Sequence, residues 1–96
     1  MRPSTALRTY REQIRSIVLA HRATNVRVFG SVARGEDTDA SDLDLLIDPT
    51  PETSLMDIGA IRLELKTLLG INVDVLTPKA LPDTFREQVL QESIHV

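Results

Sequence analysis

Several residue types and patterns are missing from this 96-residue chain. Cysteine is absent, which excludes a disulfide framework and a thiolate metal site. Tryptophan is absent and aromatic residues make up 3% of the chain, so leucine, isoleucine and valine must build the core. No apolar run reaches the ~20 residues needed to span a bilayer. These absences predict a cytoplasmic protein without a membrane segment.

Positive charge is missing from one long stretch, because no Lys or Arg lies between Arg34 and Arg62. The net charge of −3 disfavours direct nucleic-acid binding, which needs a basic surface. Most acids in the stretch are expected to be solvated, but some can hold cations. They are Glu36, Asp37, Asp39, Asp42, Asp44, Asp48, Glu52 and Asp57. The length predicts one domain over residues 1–96, small enough to gain stability from a homo- or hetero-oligomer.

Hydrophobic periodicity and turn residues divide the chain into six predicted elements. The first helix has Ser4 as N-cap and carries His21 on its apolar stripe as a core residue. The middle helix begins after Ser54 and ends before Gly70. The predicted helices are 4–22, 55–69 and 82–93, and the predicted strands are 25–30, 42–48 and 71–76. This α-β-β-α-β-α order predicts a layered α/β or α+β domain.

Three aspartates on the predicted strands are candidate metal ligands. Asp42 and Asp44 point to the same face of one strand, with Cα atoms about 6.6 Å apart, so both carboxylates can reach one metal or a metal pair. Asp74 interrupts an apolar strand, where aspartate is disfavoured. If the two strands are neighbours, all three carboxylates share one patch. Mg²⁺ prefers such oxygen ligands, although an Asp-x-Asp pair alone also occurs on solvated strands.

Gly30 and Ser31 follow the first predicted strand and are candidate phosphate ligands. Glycine lets the backbone approach a ligand closely, and the next amides with the Ser31 hydroxyl can bind a phosphate. Arg34 can add a charge-assisted contact. Gly30 and Gly35 have the spacing of a Walker A loop, but Glu36 follows in place of the required lysine, which excludes that motif.

Together these residues resemble a known signature. Gly-Ser, ten residues, then Asp-x-Asp is typical of the DNA-polymerase-β-like nucleotidyltransferase superfamily, and Gly30, Ser31, Asp42 and Asp44 match it at the right spacing. The string Gly-Ser-Val-Ala-Arg-Gly and the later Ser-Asp-Leu-Asp-Leu-Leu-Ile-Asp look like its minimal nucleotidyltransferase branch. The resemblance covers residues 29–76 and implies a small mixed β-sheet with helices packed on it.

The resemblance also implies a function. Asp42, Asp44 and Asp74 would bind two Mg²⁺ ions, as the resemblance implies, with Asp74 also drawing the proton from the attacking hydroxyl. Gly30, Ser31 and Arg34 would bind the phosphates of ATP. Members of this branch are typically antitoxins that transfer AMP to a tyrosine of a HEPN-domain ribonuclease toxin. Two alternatives stay open, a non-catalytic antitoxin that acts by binding and a transferase that modifies a small molecule such as an antibiotic.

Overall fold

A computed structural model describes residues 1–96 and contains five α-helices, one short 3₁₀-helix and four strands. The helices are α1 (Pro3–Thr9), α2 (Arg11–Ala20), α3 (Gly30–Ala33), α4 (Leu55–Leu69) and α5 (Asp83–Glu92). The strands are β1 (Ala23–Phe29), β2 (Leu43–Pro49), β3 (Val73–Leu76) and β4 (Ile94–His95), and the 3₁₀-helix is Pro78–Ala80. None of the helices has the length and apolarity that a membrane crossing requires.

The four strands form one mixed sheet in the order β3-β2-β1-β4. β1 runs antiparallel to both β2 and β4, whereas β2 and β3 are parallel and connected through α4. A register shift between Thr24 and Arg27 interrupts the β1–β2 pairing, and Asn25 within it has φ 53°. The predicted α/β class with a small mixed sheet is therefore confirmed.

One face of the sheet carries the main hydrophobic core. Side chains alternate along β2, so Leu43, Leu45 and Ile47 all point into this core and are completely buried. Helices α1, α2 and α4 cover the same face through residues that include Ile14 and Ile61. Full burial of such side chains stabilises the fold by about 1.5–3 kcal/mol each.

The opposite face of the sheet is only partly covered. Leu46, which alternates with the core residues of β2, packs with Leu81 and with Val89 of α5 in a second, smaller apolar cluster. Phe29 and Leu76 border this cluster from the neighbouring strands. Helix α5 thus lies on the same side of the sheet as Asp44, which precedes Leu46 by two positions on β2.

Helix α4 has the start and end that its sequence predicts. Ser54 is the N-cap, and its hydroxyl accepts a hydrogen bond from the Asp57 amide while the Asp57 carboxylate accepts one from the Ser54 amide. This reciprocal pair satisfies two amides that the first turn would otherwise leave free. At the other end Gly70 has φ 69°, the left-handed conformation in which a helix commonly terminates.

Ser54→Ala is expected to lower the free energy of unfolding by about 1 kcal/mol, because it removes the oxygen that caps α4. Urea denaturation followed by circular dichroism measures the change. Thr67→Ala is the matched control, since the Thr67 hydroxyl bonds the Leu63 carbonyl within the same helix and caps nothing. Equal destabilisation by both variants would contradict a role for the cap.

The structure differs from the sequence-based expectations at the ends of the strands and in several further details. The predicted first helix is divided at Tyr10 (φ −111°, ψ 23°) and begins at Pro3, while the Ser4 amide donates to the buried Asp37 carboxylate instead of Ser4 acting as N-cap. His21 is only half-buried and contacts the carboxylates of Asp57 and Glu64. The short strand β4 was not predicted, because its pairing with β1 depends on tertiary contacts.

Candidate active site

The three candidate aspartates lie at adjoining positions of β2 and β3. Asp44 and Asp74 are directly paired across the parallel strands, so their side chains point to the same face. Asp42 immediately precedes β2 and is exposed, two positions before the half-buried Asp44. The expectation that the strands are neighbours and bring Asp44 and Asp74 together is confirmed.

The electrostatics of this patch are unfavourable without a cation. The pKa of Asp44 is raised to about 6, chiefly by partial burial and also by the negative charges of Asp74 and Asp42 and a hydrogen bond shared with Asp74. Only Arg34 among the named neighbours lowers it. The ionised forms of these carboxyl groups are disfavoured because they repel one another. A bound divalent cation would stabilise them by neutralising this repulsion.

Asp44 is expected to destabilise the metal-free protein increasingly as pH rises from about 4 to about 6. Because the pKa of Asp44 is raised from 3.8 to about 6, the folded state holds a proton in this range that the unfolded state has released. Asp44→Asn removes this penalty and should be about 1 kcal/mol more stable than the wild type at pH 7, after allowance for solvent screening of a half-exposed group.

Urea denaturation in EDTA at several pH values between 3 and 8 measures this difference, with both proteins compared at each pH so that the titration of all other groups cancels. The gain in the variant should appear between pH 4 and pH 6 and then stay constant. A difference between the two proteins that does not change with pH would contradict the raised pKa.

Gly30 brings the backbone against the Asp44 carboxylate. It follows Phe29, which pairs with Asp44 across β1 and β2, and it has φ 73°, a conformation that favours glycine. A β-carbon at Gly30 would overlap an oxygen of the Asp44 carboxylate. The half-buried Ser31 comes next, within α3. The candidate phosphate-binding residues and the candidate metal-binding residues therefore share one site.

Arg34 and the Gly30 amide have a common partner that the sequence did not indicate. The carboxylate of Glu92, at the end of α5, accepts a hydrogen bond from the Gly30 amide at 3.1 Å and from the Arg34 guanidinium at 3.2 and 3.3 Å. Arg34 also donates to Glu36 at 2.8 Å. Residues 30 and 92 are far apart in sequence, and no local pattern predicts their contact.

The residues at this site fit a hard cation, although no three acidic or histidine side chains are already clustered as a metal site. Asp42, Asp44 and Asp74 supply only carboxylate oxygens, the ligands that Mg²⁺ prefers, and Mg²⁺ commonly takes its remaining ligands from water and substrate phosphates. A depression of about 530 Å³ adjoins Asp42 and is also lined by Ser41, Lys66 and Asn72. Asp42 itself is exposed, but neither Asp44 nor Asp74 lines this depression.

The geometry agrees with the family comparison. Residues 7–96 match the nucleotidyltransferase domain family. The chain belongs to this family. It is thus a nucleotidyltransferase enzyme, as the Gly-Ser and Asp-x-Asp spacing predicted. The individual roles of Asp42, Asp44, Asp74, Gly30, Ser31 and Arg34 stay predictions.

Curated relatives of this nucleotidyltransferase match over nearly their whole length. A Methanocaldococcus jannaschii protein, provisionally named a protein adenylyltransferase, is 34% identical over 86 residues, which are 90% of this chain and 92% of that protein. The protein adenylyltransferase MntA of Thermococcus cleftensis is 33% identical over 93 residues, with 88% of this chain and 94% of that protein covered.

Solved structures also resemble this nucleotidyltransferase. A chain provisionally described as a minimal nucleotidyltransferase superimposes with a TM-score of 0.87 at 45% identity, covering 100% of this chain and 97% of its own. A toxin–antitoxin crystal structure with AMP-PNP gives a TM-score of 0.74 at 16% identity, covering 88% of this chain and 69% of its own. The second likeness shows the shared fold.

Proposed function

We propose that this nucleotidyltransferase is an antitoxin that uses Mg²⁺ and ATP to transfer AMP to a tyrosine hydroxyl of a partner HEPN ribonuclease toxin. The observation that carries the proposal is the pairing of Asp44 with Asp74, with the Asp44 carboxylate against the backbone of Gly30. This places candidate ligands for a metal and for phosphate side by side in a chain of the nucleotidyltransferase domain family.

The transfer forms a bond between the tyrosine oxygen and the α-phosphorus of ATP and breaks the bond from that phosphorus to the bridging oxygen of the β-phosphate. Pyrophosphate leaves with the electron pair of that bond. The Asp74 carboxylate accepts the proton of the attacking hydroxyl and later releases it to solvent. The Gly30 amide and the Ser31 hydroxyl orient the β- and γ-phosphates, so that the leaving oxygen points away from the acceptor.

Asp42 and Asp44 would hold Mg²⁺ against the triphosphate, with Asp74 as a further ligand. When bound, Mg²⁺ supplies positive charge that stabilises the attacking and leaving oxygens. The raised pKa of Asp44 supports this assignment, because burial and the charges of Asp74 and Asp42 make ionisation costly until a cation is present.

The choice of a protein acceptor is supported by the relatives. The Thermococcus cleftensis relative is named a protein adenylyltransferase, and the toxin–antitoxin structures have the same fold. Helix α4 also exposes three large apolar side chains, those of Leu55, Met56 and Leu63, which are 86%, 85% and 65% accessible. A partner that covers part of this surface would bury them.

The test is label transfer within the native pair. The chain is purified together with the product of its adjacent gene and incubated with Mg²⁺ and ATP labelled at the α-phosphate, and the products are resolved by intact mass and peptide mapping. The expected result is a partner protein heavier by one or more AMP units on a tyrosine, with loss of its ribonuclease activity. Omission of Mg²⁺ should prevent the change.

Other outcomes separate the alternatives. A silent toxin in a stable complex without label would show an antitoxin that acts by binding, and would overturn the catalytic proposal. Label found only on an added small molecule, such as an aminoglycoside, would replace the protein acceptor by a small-molecule acceptor. The same assay with CTP, GTP and UTP defines the nucleotide preference.

A further inference from the structure

The proposed phosphate position, formed by Gly30 and Arg34, is occupied by a carboxylate of the chain itself. Glu92 accepts hydrogen bonds from the Gly30 amide and from the Arg34 guanidinium, two groups that the proposed function takes as phosphate ligands. Its side chain is 19% exposed, compared with 48% for Arg34. Glu92 is therefore enclosed between the Gly30 loop and the end of α5.

A carboxylate and a phosphate make the same kind of contact with these donors. Both accept charge-assisted hydrogen bonds from a guanidinium and from a backbone amide. The Gly30 amide has one hydrogen to donate, so it cannot serve Glu92 and a phosphate oxygen fully at the same time. Nucleotide binding at this amide consequently requires Glu92 to leave it.

We propose that Glu92 is an internal competitor for the phosphate position, and that binding of a nucleoside triphosphate displaces its carboxylate from Gly30 and Arg34. This inference rests on the proposed function, because it takes Gly30 and Arg34 as phosphate ligands. Glu92 is the last residue of α5, and the extended Ser93 leads from it directly into β4. A change of the Glu92 rotamer is enough to vacate the position without unfolding α5.

Displacement has a measurable consequence for affinity. A protein that binds ligand only in a minor conformation has its affinity reduced by the population of that conformation. Occupation of the position by Glu92 therefore weakens nucleotide binding, and removal of its charge should strengthen it. A residue that merely held Gly30 and Arg34 in place would have the opposite effect when replaced.

The test compares Glu92→Gln with the wild-type chain by calorimetric titration with Mg-ATP and, separately, with magnesium pyrophosphate, which lacks base and sugar. The expected result is a dissociation constant lower by about fivefold or more in the variant for both probes. Glu36→Gln is the matched control, since it removes a carboxylate from Arg34 but leaves the Gly30 amide paired with Glu92. It should change the dissociation constants less than twofold.

Nuclear magnetic resonance gives a second measurement at the atom in question. Without ligand, the amide resonance of Gly30 should differ between Glu92→Gln and the wild type. In both proteins it should shift when magnesium pyrophosphate is added. Thermal unfolding checks that the variant is folded.

Weaker or unchanged binding in Glu92→Gln, with normal binding of Mg-ATP by the wild type, would overturn the competition and leave the proposed function intact. An equal gain in Glu36→Gln would also overturn it, because the effect would then reflect general charge. No binding of either probe by the wild type or by Glu92→Gln would overturn the proposed function together with this inference.

Discussion

Asp42→Asn and Asp44→Asn are each expected to lower AMP transfer about a thousandfold, since each removes a carboxylate charge that would hold Mg²⁺ against the triphosphate. The fold should survive both changes. Asp42 is exposed, and Asp44 is half-buried with a pKa raised to about 6, so the neutral amide relieves repulsion in the metal-free state. Loss of activity should therefore accompany equal or greater stability.

The measurement is the initial rate of label transfer to the partner at saturating Mg²⁺ and ATP, with unfolding curves for each protein. Asp48→Asn is the matched control, because Asp48 lies on the same strand and the same face as Asp44 but is paired with Arg27 at 2.5 Å. The control should keep most of the activity. A folded Asp44→Asn protein that transfers AMP at the wild-type rate would refute the assignment of Asp44.

The opposite changes in activity and stability separate a functional carboxylate from a structural one. Asp57 is an aspartate of the structural kind, because it completes the capping box of α4 and contacts His21 and Arg22. Its pKa is lowered, chiefly by the hydrogen bond from Ser54, so the folded state stabilises its ionised form. The pKa of Asp44 is shifted the other way. A pKa shift that disfavours the ionised form of a carboxyl group is typical of functional sites.

The sequence predicted the elements whose signals are local. Ser54 and Gly70 delimit α4 because capping and the left-handed turn depend on residues within a few positions. The shared face of Asp44 and Asp74 followed from alternation along two strands, once those strands were assumed to be neighbours. The family resemblance rests on the spacing between Gly30-Ser31 and Asp44, and hydrophobic periodicity carries no such information.

The features that were not predicted depend on contacts distant in sequence. Tyr10 fits the apolar spacing of one long helix, and no proline or glycine at this point indicates the division between α1 and α2. Asp37 looked like part of a solvated acidic loop, but it is buried, and burial alone would raise its pKa. The hydrogen bonds from Ser4 and the charge of Arg2 outweigh that effect and lower the pKa. Glu92 reaches Gly30 only through the folded position of α5.

Gly30→Ala is the second variant with a large expected effect, and it should lower AMP transfer about a hundredfold. A β-carbon at this position would overlap a carboxylate oxygen of Asp44, and the carboxylate must move aside. A displacement of about 1 Å in a positioned catalytic group can cost about this factor. The alanine also adopts φ near 73°, which costs about 1–2 kcal/mol of stability.

Gly35→Ala separates these two effects. Gly35 has nearly the same backbone angle, φ 72°, but a β-carbon there would meet nothing within 4 Å. It should lose a similar amount of stability in urea denaturation and keep nearly full transfer activity. Equal loss of activity in both variants would assign the effect to strain in the loop. Loss confined to Gly30→Ala would show that the missing side chain gives the Asp44 carboxylate the space that it occupies beside the Gly30 backbone.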